Sequence, residues 1–197
     1  MAAPPEVSMQ DLTGSWLLNK TLSDSFDPAF TLQGIPWIIR KLVSVTTLSL
    51  KVAHDIDEAG GKMLIFTQAA SVAIAGLSEE KETRFLDGRE TLHSSAMFGT
   101  SASRSFLVNL STATGNDGKP LDPFLTQDLL REGEPGGDNN LFDLVIHQTK
   151  GWTMEQIWGF GIVNEERRLV RKMVIRKGAE VVYITAYYDW KGREDSQ

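Results

Sequence analysis

The chain has no cysteine, so neither a disulfide framework nor thiol chemistry is open to it. No apolar run approaches the roughly 20 residues that a membrane-spanning helix needs. The longest candidate, Ile35 to Leu50, is interrupted by Arg40 and Lys41. Positive charge is in deficit: the formal net charge is -6 at pH 7, which argues against nucleic acid or an anionic membrane surface as a partner. Residues 1–10 lack a basic stretch followed by an apolar core, so no secretory leader is read there and a cytoplasmic location is expected. There is no Gly-x-Gly-x-x-Gly after a strand, no phosphate-binding loop and no Gly-x-Ser-x-Gly elbow. Nucleotide cofactors, flavin and hydrolase nucleophiles are therefore not expected. His54, His93 and His147 lie on separate segments without ligand spacing, which rejects a zinc site. Any catalysis is expected to need no cofactor and no metal.

What is present is mostly of period two. At 197 residues the chain suits one domain, taken as residues 11–197. The Pro- and Ala-containing residues 1–10 are expected to form a flexible tail. Gly14-Ser15-Trp16 opens a first strand. The glycine permits a tight backbone and the tryptophan offers a large ring to one end of a barrel. Asp27-Pro28 then signals a helix start. The mixed spacing of Phe30, Ile35, Trp37, Ile38 and Leu42 reads as one or two short helices between Leu22 and Lys41, packed as a lid. From Val45 onward apolar residues alternate, as in Leu48, Leu50, Val52 and His54. Ala59-Gly60-Gly61, Asp87-Gly88 and Asn116-Asp117-Gly118 mark turns, Asp87-Gly88 with a hairpin signature. Asp122-Pro123 starts a short helix to Arg131, followed by a polar loop over 132–140. The segments 141–149, 152–160, 167–176 and 180–190 read as consecutive strands. The expected fold is all-β: a closed antiparallel up-and-down barrel with a short helical lid after the first strand.

An apolar barrel interior with few hydrogen-bonding groups suits a lipophilic small molecule. Trp152, Met154, Gln156, Trp158 and Phe160 share one strand face, which must turn inward. On the last strand Tyr183, Thr185 and Tyr187 oppose Val182, Ile184, Ala186 and Tyr188, and both sets are bulky enough to line the interior. His54 and Gln68 alternate with apolar residues and can meet inside, although a buried histidine is more often structural. Arg40 follows Trp37-Ile38-Ile39 and reaches either a carbonyl at the mouth or its own helix end. Of the cluster Arg167, Arg168, Arg171 and Lys172, Arg171 is the member that can enter the cavity. His93 and His147 read as ordinary strand residues, and Asp87 and Asp122 as turn residues.

The stretches Leu12-Thr13-Gly14-Ser15-Trp16, Asn19 to Asp24 and Gln33 to Lys41 resemble the calycin superfamily, in particular the intracellular fatty-acid-binding type. Gly151-Trp152-Thr153, Gln156 to Phe160 and Tyr187-Tyr188-Asp189-Trp190 resemble small fungal lipocalin-like proteins, some of which are pericyclases of natural-product pathways. The chain is longer than a fatty-acid carrier around 112–140, and its arginines and tyrosines do not match a carrier's carboxylate site. The resemblance implies a cofactor-free Diels–Alder-type cyclase acting on an apolar polyene or polyketide–peptide substrate. Trp16, Trp37, Trp152, Trp158 and Tyr187 would shape the cavity, with Phe160, Gln68 and Arg171 beside them. Gln156, His54, Arg40 or Tyr183 would donate to an activating carbonyl. The alternative is a non-catalytic carrier of a lipophilic metabolite. A mouth or edge contact would allow a homodimer.

Overall fold

The computed structural model describes residues 1–71, 79–115, 117–131 and 140–193. The period-two segments form ten strands: β1 (Gly14–Leu18), β2 (Leu48–Ile56), β3 (Lys62–Ala70), β4 (Glu79–Phe85), β5 (Thr91–Ser95), β6 (Gly99–Val108), β7 (Asn140–His147), β8 (Trp152–Val163), β9 (Glu166–Lys177) and β10 (Glu180–Gly192). Short helices α1 (Asp27–Leu32), α2 (Trp37–Val45) and α3 (Pro123–Thr126) accompany them. The sheet order is β4-β3-β2-β1-β10-β9-β8-β7-β6-β5. Sequence neighbours other than β4 and β5 therefore pair, and β1 joins β10 through Trp16 opposite Trp190. The result is a nearly closed antiparallel barrel. No described helix is long and apolar enough to cross a membrane.

The barrel carries one seam. Among the described residues no backbone ladder joins β4 to β5. Asp87-Gly88 does turn the chain, with Gly88 at φ +76°. The expected hairpin is not formed, because the loop is tied to β6 instead. Asp87 bridges to Phe106, and the Gly88 N–H donates to the Ser105 carbonyl. An end strand left without a partner suits inward charge, which protects it from foreign pairing.

Alternation on β10 resolves which face turns inward. Ile184, Ala186, Tyr188 and Trp190 are buried, whereas Tyr183 is 48% exposed. β7 is buried on both faces. The residues before it wrap back over its outer side, packing Leu121 and Leu125 on Phe142, Leu144, Ile157 and Val174. A strand covered on both sides reads as a continuous apolar run. The helix expected from Asp122 to Arg131 is limited to α3. The Asp122 side chain caps it by accepting from the Phe124 N–H at 3.0 Å, and the backbone is already extended at Gln127. Most of the expected polar loop, residues 132–139, lies outside the described residues.

One barrel end is solid. The Trp16 ring meets Trp190 at 4.6 Å and Phe160 at 6.3 Å, and its Nε1–H donates to the Leu12 carbonyl. Gly14 is demanded here by close approach: a Cβ would fall 2.2 Å from Trp190 Cη2. The N-terminal residues pack under this end rather than forming a loose tail. Ala3, Val7 and Met9 are buried, and the Arg167 guanidinium donates to the Pro4 and Val7 carbonyls at 2.9 and 2.8 Å. That guanidinium also lies 3.6 Å from the centre of the Phe160 ring, so a cation serves as the staple. The lid covers the other end. Phe30, Ile35 and Val43 pack together, and Lys20 Nζ donates to the terminal carbonyls of α2 at Val43 and Ser44, where a cation is favourable.

Candidate functional site

Between lid and plug the barrel encloses a chamber of about 170 Å³. One wall is apolar: Phe26, Phe30 and Val43 of the lid meet Leu18, Leu48, Leu50, Ile175 and Tyr188. The polar wall is made by Glu80, Glu82 and Arg84 from β4, His93 and Ser95 from β5, Ser101 from β6, Gln156 from β8 and Arg171 from β9, set among the apolar Phe98, Val145, Trp152, Met154 and Met173. Period two puts the three charged residues of β4 on one face.

Asp143, only 1% exposed, stands behind this wall on β7. Its Oδ2 accepts from the Arg84 guanidinium, from Gln156 Nε2 at 2.8 Å and from Trp158 Nε1 at 3.0 Å. Arg84 also donates to Glu82 at 3.0 Å and lies 4.3 Å from the centre of the Phe66 ring. Gln156, fully buried, extends the chain of bonds: its Oε1 accepts from Arg171 Nε at 2.7 Å. The Arg171 guanidinium lies 4.7 Å from the centre of the Trp158 ring. Across the seam, His93 Nε2 and Glu80 Oε1 are 2.9 Å apart. This side-chain bridge spans a place where other strand pairs use backbone bonds.

Electrostatics keep Glu82 and Arg84 ionised. Burial pushes the Glu82 carboxyl upward, but the charge and hydrogen bond of Arg84, helped by His93 and Arg171, hold it below the ordinary carboxylate value. Burial likewise opposes charge on Arg84, yet Asp143 and Glu82 raise it above the usual arginine value.

Of the residues singled out from sequence, Gln68, Trp152, Gln156 and Arg171 line the chamber together. Trp158 lies beneath it, between Phe66 at 5.4 Å and Tyr188 at 5.6 Å. Trp16 and Phe160 belong to the solid end. The remainder lie elsewhere. His54 Nε2 accepts from the Leu12 N–H at 2.9 Å and anchors the N-terminal segment. Burial keeps its imidazole below the ordinary value of 6.5. Arg40 pairs with Asp27 at 2.9 Å on the lid. Trp37 is 61% exposed, because α2 turns Val43 inward instead. Tyr183 packs on Phe124 at 5.1 Å outside the barrel. Tyr187 shares that outer side, the strand alternating strictly, and its N–H donates to Ser23 Oγ. These five do not reach the chamber.

Sequence reasoning missed Glu80, Glu82, Arg84, His93 and Asp143. Two signals were available. Asp143 is a lone charge inside the run Leu141 to Ile146, and Glu80-x-Glu82-x-Arg84 places three charges on one strand face.

No protein-family model matches the chain. It is 26% identical over 193 residues to the pericyclase pydY of Acremonium sp, covering 98% of both chains. It is 26% identical over 197 residues to the probable pericyclase scpY of Mollisia scopiformis, covering 100% of this chain and 98% of that one. Among solved structures, a Schistosoma mansoni fatty acid binding protein in complex with arachidonic acid matches with a TM-score of 0.55 at 14% identity, over 94% of this chain and 99% of that one. The fold is therefore of calycin type, close in plan to the fatty-acid-binding barrels.

Proposed function

We propose that the chamber catalyses a cofactor-independent, Diels–Alder-type intramolecular cyclisation of an apolar polyene from a fungal polyketide–peptide pathway. In such a step two σ bonds form as three π bonds become one, and no atom or electron is exchanged with another reagent. The protein has two tasks. The apolar wall folds the polyene so that diene and alkene meet in one reactive shape. The polar wall polarises a carbonyl conjugated to the alkene. Arg171 is the donor for that carbonyl. Gln156 is engaged on both sides, by Asp143 and by Arg171, and serves to set the direction of the guanidinium. A preorganised donor of this sort contributes about 2.7–4 kcal/mol. The observation that carries the reading is a chamber with a greasy wall facing a fixed hydrogen-bond donor, and end-to-end likeness to two fungal proteins named pericyclases supports it.

The test is incubation of purified protein with a linear polyene precursor, followed by chromatography and mass spectrometry. The expected product has the mass of its precursor, a new retention time and one dominant stereoisomer. Arg171→Met is expected to lower turnover about 10²-fold with a much smaller change in KM. Precursor that binds and is recovered unchanged would replace this reading with that of a carrier, which the likeness to a fatty-acid-binding barrel favours.

A further inference from the structure

The wall that presents Arg171 is rich in carboxylates. Glu80, Glu82 and Asp143 stand against the two guanidinium groups of Arg84 and Arg171. Among the described residues, the other titratable groups lining the chamber are His93, whose ring nitrogen lies 2.9 Å from the Glu80 carboxylate, and the Tyr188 phenol. Arg84 is already shared by Asp143 and Glu82. The Nε of Arg171 is bound by a neutral amide, and Glu82 stands near enough to feel the Arg171 charge.

An anionic head group seeking Arg171 would therefore enter beside two carboxylates lining the same chamber. In surroundings of low dielectric such like-charge approach is costly. A neutral head group escapes that cost. One carrying both a carbonyl and an N–H uses both signs of the wall: the carbonyl accepts from Arg171 and the N–H donates to Glu82. We propose that the chamber selects ligands with a neutral, amide-like head and rejects carboxylic acids carrying the same apolar chain. The proposal rests on the chamber being the substrate site.

The experiment is displacement of an apolar fluorescent probe from the full chain at neutral pH by decanoic acid, decanamide and methyl decanoate. Decanamide is expected to bind about ten-fold more tightly than decanoic acid, with the ester between them. Glu82→Gln, which keeps the shape and removes the charge, should raise the affinity for the acid and narrow that ratio to roughly three-fold or less. Glu80→Gln should act in the same direction and stands in if the first variant fails to fold. An acid that binds as well as the amide overturns the proposal, as does an amide preference that neither variant changes. Failure of all three ligands to displace the probe removes the chamber reading as well. A positive cyclisation assay beside an absent amide preference removes the head-group proposal alone.

Discussion

The two walls of the chamber are made of different materials and hold together for different reasons. The apolar wall, mostly from β1, β2, β10 and the lid, includes Leu18, Leu48, Leu50, Phe30 and Tyr188. Each contributes through apolar area removed from water, and the contributions are nearly independent. The polar wall of β4, β8 and β9, backed by Asp143 of β7, is a connected set in which Asp143 accepts from three partners. Removing one member leaves its neighbours buried and unsatisfied. The apolar wall can thus change shape at modest cost, and so can follow a substrate's contour. The polar wall works only as a unit, and so can fix a donor's direction.

The sharpest way to break this contrast is at its hub. Asp143→Ala should lower unfolding stability by about 3–5 kcal/mol, since the buried Arg84 and the Gln156 amide lose their acceptor. The double change Arg84→Met with Asp143→Leu, read by urea titration, should recover only the part of that loss due to the unpaired Arg84 charge. Gln156 and Trp158 still lose their acceptor and Glu82 its cation. Additive losses in the double variant would deny the coupling. On the other wall, Leu50→Ala should cost about 2 kcal/mol, at the low end for a buried leucine, because its side chain already borders open space. A loss as large as that of Asp143→Ala would erase the difference between the walls.

The smallest effects come from pH. His54 is held below 6.5 by burial, so the unfolded chain binds its proton first and stability declines as pH falls through that value. Glu82 sits below its ordinary value of 4.5 despite burial, through Arg84. Its contribution is complete above that value and is lost as pH falls through and beneath it. A urea midpoint followed against pH should show both declines. His54→Gln should flatten the upper one and Glu82→Gln the lower one. A curve that Glu82→Gln leaves unchanged would mean that the polar wall does not hold Glu82 as an ion.

Much of the scaffold was legible. The turn at Gly60-Gly61 with the alternation after Val45 anticipates β2, the four consecutive segments between 141 and 190 anticipate β7 to β10, and Asp27-Pro28 anticipates α1. Of the site, the face Trp152, Gln156 and Trp158 was legible, because only one orientation hides so much ring surface. Tyr183 and Tyr187 were not, since both faces of β10 are bulky and the outer one is partly covered by Phe124. The N-terminal segment was misread because its anchors, Arg167 and His54, lie far along the chain.

By itself, the order of residues determined an antiparallel meander with a helical lid and an aromatic strand facing inward, because periodicity and turn chemistry are local properties. Only the tertiary structure decided that charges of β4 would share a chamber with Arg171. Arg84 and Asp143 are 59 residues apart, and two charges so distant become partners only when the sheet curls round and excludes the water that would otherwise separate them.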